Sequence, residues 1–354
     1  MASIHSSRRR SGIAAAAAIT VGALALAGCG GSSSGATAAA SGGASPAAAG
    51  ASLDANVAYL SASSANTWLQ TSKKEMEKVA AANGIKLTEF DAQFKPGEQG
   101  KQIQDVLASG KYKGIVIASV DGAGIIPDLQ TALDKGLKVA VLNQVVGTKL
   151  DTADPQFPGA SVSVLAPPLR SGERFGNLTI KACAGISPCR VVYFYGLKGT
   201  PIDTALKQGF DAKIKSHPEI KVVGEAEGKY LGPDVALKAL QDVMQRTPDF
   251  DVVVGPDQAM AGAELALKDA GKLAKVKLIG LGGSKNAIDG IKAGTWFGGV
   301  YGAPGTEGKL AMEALVAALR SGKVTGGIDP LTTLPDNGEV TKENVAKFAP
   351  EWNG

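Results

Sequence analysis

From Asp54 onward the chain alternates short β-branched runs with stretches of helical periodicity, and this alternation restricts the fold more than any other feature. Asn56–Ser61 reads as strand; Trp68, Leu69, Ser72, Met76, Val79 and Ala80 then share one helical face. Ile85–Phe90 is a second strand, followed by a helix near Pro96, a residue suited to a first turn. Gly114–Ser119, a helix over Ile125–Lys135 and Lys138–Leu142 complete a first series. After a loop over Gly147–Gly159 the pattern restarts: helix Leu169–Ala182, strand Arg190–Tyr195, helix Thr204–Ser216, strand Lys221–Glu225 and helix Asp234–Gln245. Strand Asp251–Gly255, helix Gln258–Ala270, strand Val276–Leu281 and a last helix, Gly305–Arg320, follow. The expectation is an α/β chain of two doubly wound parallel-sheet lobes. No residue-level repeat relates the halves. Ligands of open parallel sheets bind beyond the carboxyl ends of the strands, so the predicted site is a cleft between lobes.

The N-terminus reads differently. Residues 1–28 carry a basic stretch ending in Arg8, Arg9 and Arg10, then an apolar run from Ile13 to Ala27. That run falls short of the roughly 20 residues of a membrane-spanning helix. Leu26-Ala27-Gly28-Cys29 closes it and resembles the bacterial lipoprotein signal, which implies cleavage before Cys29 and a lipid on its sulfur. Residues 29–53 are almost wholly Gly, Ser, Ala and Thr, the composition of a flexible tether with a reach of roughly 25–30 Å. The expected location is therefore extracytoplasmic, held at the membrane by lipid. Cys183 and Cys189 flank a five-residue loop; outside the cell a disulfide is expected, with free thiols the alternative.

Charge narrows the functions. Losing the three leader arginines from a formal +4 leaves +1, with few aromatics, which argues against nucleic acid as a partner. His5 lies in the leader and His217 stands alone, so neither a His-rich zinc site nor a histidine-driven triad is supported. Gly280-Leu281-Gly282-Gly283 has Lys285 where a dinucleotide motif needs its third glycine, and Gly302…Gly308-Lys309-Leu310 misses the phosphate-loop pattern. No cofactor, no metal and no catalytic residue are expected.

In order along the chain stand Val57-Ala58-Tyr59-Leu60, Asn66-Thr67-Trp68, Gly114 to Asp121, Gly199-Thr200, Gly209-Phe210, Asp257 to Ala263 and Ile279 to Gly283. Together they resemble the type I periplasmic binding proteins of the ribose/galactose branch, which serve ATP-driven importers, over about residues 54–335. The resemblance implies two lobes joined by three crossings, near Leu165, Gly302 and Gly326. The N-terminal lobe would comprise 54–165 and 303–325, the C-terminal lobe 166–302 and 326–350.

The resemblance also implies ligand contacts. Asn66 and Trp68 occupy the start of the first helix, where an aromatic stacks on the ligand; Trp68 as core is the alternative. Asn143-Gln144 replaces an Asp-Arg pair, Thr204 an arginine, Pro256-Asp257 an Asn-Asp pair and Gly282 an aspartate. Tyr301-Gly302 stands at the last crossing. Asp121 and Asp257 are candidate acceptors, with helix N-caps the alternative for both. Most of a charged sugar clamp is missing. The implied ligand has fewer hydroxyls than a hexose or pentose, or is held by the aromatic surfaces of Trp68, Tyr195, Tyr230 and Tyr301. The expected protein is a monomer that binds a small molecule and passes it to the permease subunits of an importer. The alternative is a receptor of the same fold that signals to a sensor kinase.

Overall fold

The β-branched runs form two six-stranded sheets, because each is buried on both faces and needs helices above and below. The computed structural model describes residues 51–354. The expected signal segment, Cys29 and the tether up to residue 50 lie outside them. Ala55–Ser61 (β1), Ile85–Asp91 (β2), Tyr112–Ile117 (β3), Lys138–Leu142 (β4) and Val162–Val164 (β5) build the first sheet. Cys189–Tyr195 (β6), Ile220–Glu227 (β7), Val252–Pro256 (β8), Lys277–Gly282 (β9) and Gly298–Tyr301 (β10) build the second. The spatial orders are β5-β4-β3-β1-β2 and β10-β9-β8-β6-β7, the same winding twice, and all these neighbours run parallel. Gly326–Ile328 (β11) extends the first sheet beside β5, and Glu339–Thr341 (β12) closes the second, antiparallel to β10.

Strand side chains alternate between two covering layers. In the first sheet Val57, Tyr59, Val116 and Ala140 face Thr67–Ala82 (α1) and Pro304–Ser321 (α9). Ala58, Leu60, Ile115 and Ile117 face Pro96–Ser109 (α2) and Ile126–Asp134 (α3). In the second sheet Val191, Tyr193 and Val254 meet Pro168–Ala182 (α4) and Pro201–Ile214 (α5). Val192, Phe194 and Val253 meet Pro233–Arg246 (α6), Asp257–Asp269 (α7) and Lys285–Ala293 (α8). Among the described residues no helix is long and apolar enough to cross a membrane.

The chain leaves the first sheet after Val164, returns after Tyr301, and leaves again after Ile328. This last passage falls just beyond the crossing expected near Gly326: Gly326–Ile328 stay with the first sheet, and the chain then reaches the second through β12. Gly326, Gly327 and Ile328 pair with Val162, Ser163 and Val164, which the short, glycine-rich segment did not advertise. The strands β5, β10 and β12 are likewise too short to show a period, whereas helix α8 was overlooked although Ser284, Ala287, Ile288 and Ile291 mark it.

Cys183 and Cys189 are joined, with Cα atoms 5.6 Å apart, between the C-cap of α4 and the start of β6. The loop is small, so chain entropy gives the bond about 2–2.5 kcal/mol. The double variant Cys183→Ser/Cys189→Ser should lose that much in urea unfolding with an unchanged m-value. Equal stability of the two proteins would show that the bond does not stabilise the fold by restricting the unfolded chain.

Candidate functional site

Doubly wound sheets leave a crevice where the strand order reverses, between β1 and β3 and between β6 and β8. A cleft lies there. It encloses about 990 Å³, solvent at its mouth included. Almost every strand end contributes. Ala62 follows β1, Phe94 follows β2, Ser119 and Val120 follow β3, and Asn143 and Gln144 follow β4. From the second sheet come Leu197 and Thr200 after β6, Tyr230 after β7, Pro256 and Gln258 around the end of β8, Leu281 in β9 and Tyr301 at the end of β10.

Asn66 is the N-cap of α1, its Oδ1 accepting the Leu69 amide at 2.9 Å. Its Nδ2 donates to the Tyr230 carbonyl at 3.2 Å, so the first-sheet half touches the second-sheet half across the cleft. Phe94 lies against the Tyr230 ring, centroids 6.4 Å apart. Tyr230 has φ +55°, a left-handed conformation costly for a bulky residue, and its surroundings enforce it. Its hydroxyl donates to Asp203 at 3.0 Å, and a Cβ on Gly196 would lie 1.8 Å from its ring. Asp203 also accepts from the amides of Gly196 and Leu197 and from the Thr200 hydroxyl. Burial nevertheless pushes its carboxyl above the ordinary range.

Trp68, in the first turn of α1, lines the cleft and is held from two sides. Its Nε1 donates to Glu307 Oε2 at 3.1 Å, and its ring meets Trp352 edge-on at 5.4 Å. Gly302 lies beneath it, where a Cβ would be 2.3 Å from the indole. Asn143, at φ +62°, occupies a left-handed position that asparagine tolerates. Its Nδ2 also donates to Glu307 Oε2, at 3.1 Å, and its Oδ1 accepts from Gln144. Glu307 itself is 1% exposed on the first turn of α9. Burial raises its carboxyl to about 8, against the two donors that pull it down. Tyr301 lines the cleft with its hydroxyl donating to the Ala349 carbonyl at 2.6 Å; burial, then Glu351, raises it to about 12.

Six of the ten residues singled out as ligand contacts thus line one cavity: Asn66, Trp68, Asn143, Gln144, Tyr230 and Tyr301. The other four do not. Thr204 is exposed because α5 starts at Pro201, three residues earlier than its periodicity suggested, with Thr200 as N-cap. Tyr195 shares a strand face with Tyr193, points into the α4–α5 layer and bonds Glu225 at 3.1 Å. Asp121 is exposed ahead of the turn Gly122–Ile125 and makes no capping bond, so the N-cap alternative is not realised either. Asp257 is the first residue of α7, not its cap, and is 1% exposed. Its Oδ2 accepts the Ser284 amide at 2.7 Å, and burial raises it to about 6. It fastens the β9–α8 turn. Glu307, Gln258, Thr200, Ser119 and Phe94 enter the site unannounced; only the Thr200-Pro201 helix start was there to be read.

The arrangement presents amides, hydroxyls, aromatic faces and one carboxyl to a small guest. Among the described residues no group of three or more His, Cys, Asp or Glu side chains could hold a metal ion.

A family model for the periplasmic binding protein domain matches residues 57–323. The D-allose-binding periplasmic protein of Escherichia coli (strain K12) is 26% identical over 269 residues, covering 75% of this chain and 83% of that protein. The ribose import binding protein RbsB of Bacillus subtilis (strain 168) is 24% identical over 265 residues, 73% and 80% of the two chains. Among solved structures, the Caulobacter myo-inositol binding protein bound to myo-inositol has the same fold. It aligns with a TM-score of 0.72 at 22% identity, over 87% of this chain and 98% of that one.

Proposed function

Because the chain belongs to the periplasmic binding protein domain family, in its ribose/galactose-type branch, we propose that it is a lipid-anchored, monomeric solute receptor. Held outside the cytoplasm through Cys29, it captures a small sugar-like or less polar molecule and delivers it to the permease of an ABC importer. It is a binding protein and not an enzyme. The observation that carries the reading is the cleft: loops from the carboxyl ends of both sheets converge on one cavity, with Asn66 already reaching Tyr230 across it.

A ligand closes such a cleft only by binding the closed form better than the open one. A micromolar ligand has about 8 kcal/mol for contacts and closure together. The aromatic surface and the absence of a lysine or arginine among the lining residues support a guest poorer in hydroxyls than a hexose. Thermal-shift screening against sugars, polyols, nucleosides and small aromatics tests the reading. A ligand at a hundred times its dissociation constant stabilises by about 2.7 kcal/mol. Trp68→Ala, which removes on the order of 100 Å² of apolar contact, should weaken that ligand roughly 70-fold. A screen in which nothing stabilises the protein would refute the receptor function.

A further inference from the structure

Two nearly buried polar side chains on opposite walls of the cleft leave polar atoms unpartnered among the described residues. Glu307, on α9 against the first sheet, uses only Oε2 for Trp68 and Asn143; Oε1 has no hydrogen-bond partner among the described residues. Glu307 lines the cavity. Gln258, 4% exposed on α7 against the second sheet, lines the same cavity and likewise makes no side-chain hydrogen bond among the described residues. A buried carboxyl is normally matched by a cation, yet the lining contains no Lys, Arg or His. The groups that act on Glu307 from the neighbouring elements are Tyr59 on β1, Asp329 after β11 and Glu351 near the C-terminus, none of them cationic. With no cation beside it Glu307 keeps its proton, and a guest that brings a positive charge is what would let it ionise. The aromatic rings of Trp68, Phe94, Tyr230 and Tyr301 around the cavity suit such a guest, since ring faces attract ammonium groups.

We propose that the cleft selects a ligand bearing a basic nitrogen, an amino sugar or amino polyol, whose ammonium pairs with Glu307 Oε1 while a hydroxyl or ring oxygen engages Gln258. This rests on the receptor function proposed above and names the chemical class of its guest. Sugar acids and phosphorylated sugars are rejected by the same carboxyl, with no cation to receive them.

Calorimetric titration of the purified protein with matched pairs tests it: D-glucosamine beside D-glucose, D-galactosamine beside D-galactose, and 1-amino-1-deoxy-D-glucitol beside D-glucitol. At least one amine should bind at least tenfold more tightly than its hydroxyl counterpart. Glu307→Gln should erase that margin, bringing the amine and its hydroxyl counterpart to the same affinity. Raising the pH from 6 to 8 should tighten the amine alone, because ionised Glu307 is the form that pairs. A neutral member binding as well as its amine, in the native protein, overturns the inference and leaves the receptor function standing. Silence from both series, together with a blank in the wider screen, overturns both.

Discussion

Gly308→Val is expected to prevent stable folding, or to cost at least about 3 kcal/mol where the chain still folds. A Cβ at residue 308 would lie 2.1 Å from the Ser72 carbonyl oxygen and 2.7 Å from its carbonyl carbon and Cα. These are backbone atoms, so no rotamer change relieves the clash; α9 must move off α1. That displacement reaches the site at once, because Glu307 and Trp68 sit one residue and one turn away on the two helices. The same contact recurs where α4 meets α5, at Gly172 and Gly209, and where α6 meets α7, at Gly262. Chemical unfolding and ligand titration of the variant check this. Native stability in Gly308→Val would show that α1 and α9 are not in backbone contact.

The second large effect is a pH dependence that one side chain governs. An acid whose folded pKa stands above its unfolded value holds its proton more tightly in the native state. Its contribution is fully present below the unfolded value and is lost as pH rises toward the folded one. For Glu307 the window runs from 4.5 to about 8, and for Asp257 from 3.8 to about 6. The protein should therefore weaken between pH 7 and 8 by at most about 1.4 kcal/mol per pH unit through Glu307, Asp257 having finished its titration by then. Glu307→Gln keeps an acceptor for Trp68 and Asn143 but carries no charge, so the Glu307 part of the slope should be missing from its stability curve. At pH 8 the variant should melt above the native protein. Parallel curves for the two proteins would show that the buried carboxyl is compensated by a cation after all.

Much of the fold was legible because parallel strands buried on both faces are near-continuous apolar runs that no helix pattern mimics. Val139 to Leu142 and Val252 to Gly255 declare themselves in this way. The strands that escaped notice are Val162–Val164, Gly298–Tyr301, Gly326–Ile328 and Glu339–Thr341, three or four residues each. Segments so short carry no period; their pairing partners decide them. Within the site, helix starts made the difference. Asn66 ahead of α1 was readable as a polar residue at a helix entrance, and it caps that helix. Thr204, which the resemblance placed at the site, faces solvent one turn inside α5, while the N-cap Thr200 lines the cleft.

The alternation of strand and helix by itself determined that this chain winds two parallel sheets and therefore has a cleft at their carboxyl ends. The periodicity of side chains along a segment follows from local geometry alone, so it survives in the sequence. Which carboxyl faces that cleft was a tertiary decision. Asp257 lies beside the cavity lining in sequence yet turns to the Ser284 amide, whereas Glu307, 164 residues beyond Asn143, is brought against it by the return of α9. Hydrogen-bond partners so far apart are chosen by packing, and only the assembled structure records that choice.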